Sequence, residues 1–318
     1  MKISLIAPVY KDKKNFALFL SKINDQKNKD FELILVIDTN YEDVLSIVDE
    51  FKDKFDNGLK ILFNTKRVSR LEAVKKAVQV AEGDYCVLLS VSSIFHNSMV
   101  DMLIDASKKD SDIIEFKARL RGVVRHEGTL RKQYDQSVEI NKNKDIYAYT
   151  YPFDFNKMFK TKLLKEIIPL KWNLTLNSKF SIQLLYTALL HASTYSTYDK
   201  KIVRMKVKNY NTFNPLKMVK EWEEMFKFIE IYKKDFDVEP LRYAMYFTIF
   251  AITNQYVYEN GAKVLIDKFE KVLKIQLNTE FKGILKTNKY FNNGSKESEI
   301  VKKRSLEGEY KKILKELN

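Results

Sequence analysis

A single cysteine, Cys86, stands in 318 residues, so the chain makes no internal disulfide and no cysteine zinc cluster. It falls inside an apolar run, Tyr85 to Leu89, where it reads as a small core residue. The three histidines, His96, His126 and His191, are scattered without the spacing of a metal site. Eight glycines and five prolines are few for this length, which argues against a loop-rich all-β protein and for long regular elements. No stretch reaches the ~18 apolar residues of a membrane span. The longest candidate, Tyr243 to Tyr258, carries Asn254 and Gln255 and reads as a buried helix. Ile3 to Val9 is too brief for a secretory leader and is interrupted by Pro8. The expectation is a cytoplasmic protein, with peripheral contact at the inner membrane face left open.

What the chain does have is a core and a surplus of positive charge. Hydrophobic residues make up 45% and aromatics 13%, which excludes wholesale disorder. The net charge of +14 suits phosphate-bearing partners, yet the lysines run along the whole chain, as a solvated basic surface also would. Arg119, Arg121, Arg125, Arg131 and Lys132 make one segment locally basic. Nucleic-acid binding would rest on that charge alone, because no recognition motif accompanies it.

The first hundred residues alternate strand and helix patterns. Strands are predicted at Lys2 to Ala7, Phe31 to Ile37, Leu59 to Phe63 and Tyr85 to Leu89, with helices at Asn15 to Gln26, Glu42 to Phe55 and Arg70 to Ala81. Such alternation builds a mostly parallel sheet of βαβ units. In such a sheet ligands bind at the carboxyl ends of the strands, which directs attention to Ser90, Val91, Ser92 and Ser93. Beyond residue 210 the pattern turns helical, from Pro215, again from Pro240, and over Val264 to Leu277. A basic tail follows, which reads as a helix on its own domain or as an arm for anionic lipid.

The runs ISLIAPVY at Ile3 to Tyr10, FELILVID at Phe31 to Asp38 and AEGDYCVLL at Ala81 to Leu89 resemble the landmark segments of family 2 glycosyltransferases of the GT-A fold. FNKMFKTKLLKE at Phe155 to Glu166 resembles the Asn-Lys-Leu-Phe segment of many bacterial members. The resemblance implies a GT-A type α/β domain over residues 1–210, followed by an α-helical region over 211–318. It sets Pro8 and Tyr10 in the loop that meets the nucleobase and Asp38 at the carboxylate that accepts a hydrogen bond from uracil, so a UDP-sugar is the implied donor. The first acid of that pair is replaced by Ile37.

The same resemblance sets Ser90 and Ser92 at the Asp-x-Asp positions, and Asn177 or Ser178 at the catalytic base. Hydroxyls replace carboxylates poorly as ligands of hard cations, so no ordinary Mg²⁺ or Mn²⁺ site is expected and no cofactor is required. Lys66, Arg67 and Arg70 are candidate cations for the diphosphate, or solvent-facing charges at a helix start. If a catalytic carboxylate exists elsewhere, Asp110, Asp112 and Asp154 are the first to examine. Two function classes follow: a transferase acting on a glycan or lipid-linked acceptor, and a catalytically inactive descendant that binds or scaffolds.

Overall fold

In the computed structural model, residues 2–10, 13–37, 42–55, 58–122, 126–128, 130–170, 181–207, 214–249, 283–284, 286–294 and 299 are described. The elements run β1 (Ile3–Val9), α1 (Lys13–Asn24), β2 (Phe31–Ile37), α2 (Glu42–Phe51), β3 (Leu59–Phe63), α3 (Arg70–Val80), β4 (Tyr85–Leu88), β5 (Ser93–Phe95) and α4 (Met99–Ser107). Then come β6 (Ile113–Phe116), β7 (Arg119–Gly122), β8 (His126–Glu127), β9 (Val138–Glu139), α5 (Asp145–Tyr149), β10 (Lys157–Lys160), α6 (Thr161–Ile167), α7 (Ile182–His191), β11 (Thr194–Tyr198) and β12 (Val203–Val207). The last described helices are α8 (Pro215–Tyr232) and α9 (Glu239–Tyr246). The predicted Val264 to Leu277 helix lies outside the described residues, and of the basic tail only 283–284, 286–294 and 299 are described.

The chain divides into two compact units, residues 1–143 with 153–207, and residues 144–152 with 208–318. The first holds an eight-stranded sheet in the order β3-β2-β1-β4-β10-β6-β11-β9 and a four-stranded sheet in the order β5-β12-β7-β8. In the large sheet β1, β2, β3 and β4 pair in parallel, and β6 pairs in parallel with β11, while β10 is antiparallel to β4 and β6. Every residue of β1, β2 and β4 is buried, which explains why they read as unbroken apolar runs rather than alternating ones. Pro8 sits within β1 rather than in the loop expected after Ala7, its lost N–H tolerated near the strand's end.

Chain order fixes where a ligand can enter. From β1 the strands are added outward through β2 to β3, and the chain then returns to place β4 on the other side of β1. That reversal is a topological switch point, and it opens a crevice at the carboxyl ends of β1 and β4.

The amino ends of the same strands are tied by a buried polar knot. The Glu32 carboxylate accepts from the Ser4 hydroxyl at 2.6 Å and from the backbone N–H groups of Glu82 and Gly83 at 2.6 and 2.9 Å, and pairs with Lys60 at 2.8 Å. Burial pushes its pKa up, but Lys60, Ser4 and the two N–H groups more than offset that and hold it at about 2. Gly83 is required there, because a Cβ would lie 2.7 Å from the Lys2 carbonyl and from the Ser4 nitrogen.

The second unit packs helices around aromatics. Trp222 of α8 is fully buried, and Tyr243 of α9 meets Tyr149 of α5 and Phe291 edge-on, with ring centroids 5.7 and 4.9 Å apart. Asn214 caps α8 by accepting from the Leu216 N–H at 3.1 Å, and Pro215 follows at the first turn, where its missing donor costs nothing. Among the described residues no helix is long and apolar enough to cross a membrane.

Candidate functional site

Tyr10 follows the last residue of β1 and is half-buried at the mouth of the crevice. On the neighbouring strand Leu88, the last residue of β4, pairs with Ile6, and the chain reaches Ser90 two residues further on. Asp38, directly after β2, and Asn177 and Ser178 lie outside the described residues.

Ser90, Val91, Ser92 and Ser93 form a tight turn held by its own hydroxyls. The Ser93 Oγ accepts from the Ser90 N–H at 3.0 Å, the Ser93 N–H donates to the Ser90 carbonyl at 2.7 Å, and the Ser90 and Ser92 hydroxyls bond to each other at 3.0 Å. The Ser92 hydroxyl also reaches the Lys206 carbonyl of β12 at 3.4 Å, which joins the turn to the small sheet.

The three cations singled out ahead of α3 separate into two kinds. Lys66 and Arg67 are exposed. Arg70, the first residue of α3, is buried, and its guanidinium is bound by the carboxylate of Asp154. α3 starts there because Ser69 caps it, accepting from the Glu72 N–H at 3.1 Å.

Asp154 is fully buried, and its other oxygen, Oδ1, has no hydrogen-bond partner among the described residues. It belongs to a charged network that the Asn-Lys segment builds beside the carboxyl end of β4. The Lys157 ammonium donates to the Phe153 carbonyl at 2.7 Å and to the Asn156 side-chain oxygen at 3.1 Å, and lies 3.6 Å from Glu115. Asn156 in turn donates to the Phe116 carbonyl at 2.8 Å and to Glu115 at 3.2 Å, while Tyr195 donates its hydroxyl to the second Glu115 oxygen. Burial lowers the Lys157 pKa to about 8, against the pull of the Glu115 and Asp154 charges. Periodicity could not reveal this network, because each member sits in an otherwise apolar strand or turn; the Asn-Lys pair was the one visible sign of it.

The other two carboxylates named from the sequence lie elsewhere. β6 runs in the same direction as β4, so Asp110 and Asp112, which precede it, stand at the amino end of the sheet, away from the crevice. Asp112 accepts there from the Ser193 and Thr194 N–H groups at 2.8 and 3.0 Å, a structural task. Cys86 is the core residue expected, its thiol 3.3 Å from the Thr161 hydroxyl and pushed by burial up to about 12.

Residues 4–168 match the family model described as Glycosyl transferase family 2. The chain belongs to that family. It is 24% identical over 170 residues to a poly(ribitol-phosphate) beta-glucosyltransferase of Bacillus spizizenii, a match covering 52% of this chain and 26% of the relative. It is 27% identical over 114 residues to a dolichol-phosphate mannosyltransferase of Pyrococcus furiosus, covering 36% and 32%. The chain thus spans about a third or less of the length of these curated relatives.

Among solved structures, S. aureus TarS 1–349 in complex with UDP-GlcNAc superposes with a TM-score of 0.57 at 17% identity, over 82% of this chain and 83% of that one. The mannosyltransferase PcManGT of Pyrobaculum calidifontis, in complex with GDP-Man and Mn²⁺, gives 0.54 at 12% identity over 96% and 87%. At these identities the likeness shows the GT-A fold, with its large, mostly parallel sheet.

The divalent ion that the family resemblance implies does not fit the residues at Ser90 and Ser92. Two neutral hydroxyls satisfied by each other offer neither the charge nor the oxygen count that a hard cation prefers.

Proposed function

We propose that this family 2 glycosyl transferase binds a UDP-sugar in the crevice between β1 and β4, holding the diphosphate with side-chain cations in place of a carboxylate-bound metal. The observation that carries this reading is the switch point itself, with Tyr10 and the carboxylate-free Ser90–Ser93 turn on adjacent strands. A tyrosine ring stacked on a base contributes ~1–3 kcal/mol. Asp38 is assigned to the uracil N–H, and the exposed Lys66 and Arg67 to the diphosphate oxygens. Arg70, bound to Asp154, supports the start of α3 instead. A neighbour in complex with UDP-GlcNAc supports the choice of donor class, and one in complex with GDP-Man names the competitor to test.

A second reading, a binding module without transfer, is favoured by Asp154. A buried carboxylate already paired with Arg70 is not available to take a proton from an acceptor hydroxyl.

Calorimetric titration of UDP, GDP and ADP into the chain and into a Tyr10→Ala variant tests the donor assignment. UDP is expected to bind tightest, and the variant to lose ~1–3 kcal/mol of that affinity. Equal affinity for the three nucleotides, or no change in the variant, overturns it.

A further inference from the structure

The loop that carries Lys66 and Arg67 is fastened at both ends. It leaves β3 at the carboxyl end of the large sheet, the end at which the crevice opens, because β3 runs parallel to β2 and β1. At its start Asn64 is buried. The Asn64 N–H donates to the Ile37 carbonyl at the end of β2 at 2.9 Å, and its side-chain oxygen accepts from the Lys76 ammonium of α3 at 2.6 Å. At its far end Arg70 is buried against Asp154, in the segment that leads into β10. In the order of the sheet β1 and β4 stand between β2 and β10, so the two fastenings belong to strands on opposite sides of the switch point. Between them Thr65, Lys66 and Arg67 are exposed.

We infer that Asn64, Arg70 and Asp154 are positioning residues that hold Lys66 and Arg67 in place for a nucleotide diphosphate. A metal ion is fixed by its ligands, whereas lysine and arginine side chains give up many rotamers on meeting a phosphate. Cations that stand in for a metal therefore act best from backbone that is already held. Residues 65–69 alone separate the two anchors, so releasing either end slackens the whole loop. The Arg70–Asp154 pair suits this task better than it suits packing. A buried ion pair adds little net stability over apolar side chains of the same volume, but it admits few geometries. Asp154 Oδ1 also has no hydrogen-bond partner among the described residues, which is not the arrangement of a carboxylate placed for stability alone. The role toward diphosphate rests on the donor reading above; the fastening of the loop does not.

The test compares the parent chain with Asn64→Ala and with Arg70→Gln/Asp154→Asn, in which both charges go together so that neither is left buried and unpaired. Limited trypsin digestion followed by mass spectrometry reads the loop itself, since Lys66 and Arg67 are exposed cleavage sites and the exposed Lys108 serves as the reference. Cleavage after Lys66 and Arg67 should be about tenfold faster in either variant while cleavage after Lys108 is unchanged, because opening is local. Ligand-observed NMR titration of UDP and uridine reads the consequence. UDP should bind either variant about fivefold more weakly and uridine equally well, and the same substitutions should cost nothing further in a Lys66→Gln/Arg67→Gln background. Cleavage at the loop that only keeps pace with Lys108, or uridine affinity that falls as far as that of UDP, overturns the inference. If the parent fails to bind UDP while the anchors still govern cleavage, the donor reading falls and the fastening of the loop stands.

Discussion

Lys157 is the residue whose chemistry departs furthest from its type. Its ammonium is fully buried between β4 and β6, with the Glu115 and Asp154 carboxylates beside it. Burial dominates, so the folded chain releases this proton at about pH 8 while the unfolded chain holds it to the ordinary value of 10.5. Between those values the unfolded state binds more protons, and stability therefore rises with pH. Urea denaturation of the parent and of Lys157→Met across that range measures the effect as a difference. The parent should gain relative to the variant by up to ~1.4 kcal/mol per pH unit within the window. A difference that stays flat across the window contradicts a buried, depressed lysine.

At the scale of elements, the two ends of the large sheet do different work. The amino ends carry the Glu32 knot, which fixes β1, β2, β3 and the turn into β4 relative to one another. Gly83→Ala should therefore cost ~1–3 kcal/mol of stability, since the added Cβ meets backbone that cannot yield, and leave nucleotide affinity unchanged because the crevice is at the far end. Loss of nucleotide binding in a variant that melts like the parent would contradict that division.

These strands were legible because burial on both faces leaves an apolar run, and α3 because its helical spacing marks it. The polar interior was not legible. Glu115, Asn156 and Lys157 come from β6 and β10 and the turn before β10, and only their pairing shows that they neutralise one another. Arg70 looked like a solvent-facing or donor-binding cation for the same reason, since Asp154 is 84 residues away in the chain.

For the whole molecule, the central claim is that a family 2 crevice holds its nucleotide-sugar without a carboxylate-bound ion. Side-chain cations are screened by salt but indifferent to chelators, whereas a metal-held diphosphate behaves the opposite way under EDTA. The direct measurement is calorimetric titration of UDP-GlcNAc into the unmodified chain in EDTA and again in excess Mn²⁺, with Ser90→Asp/Ser92→Asp run alongside. The account predicts equal affinity under both conditions for the unmodified chain, and Mn²⁺-dependent tightening only in the double variant. Binding by the unmodified chain that appears with Mn²⁺ and vanishes in EDTA would contradict it.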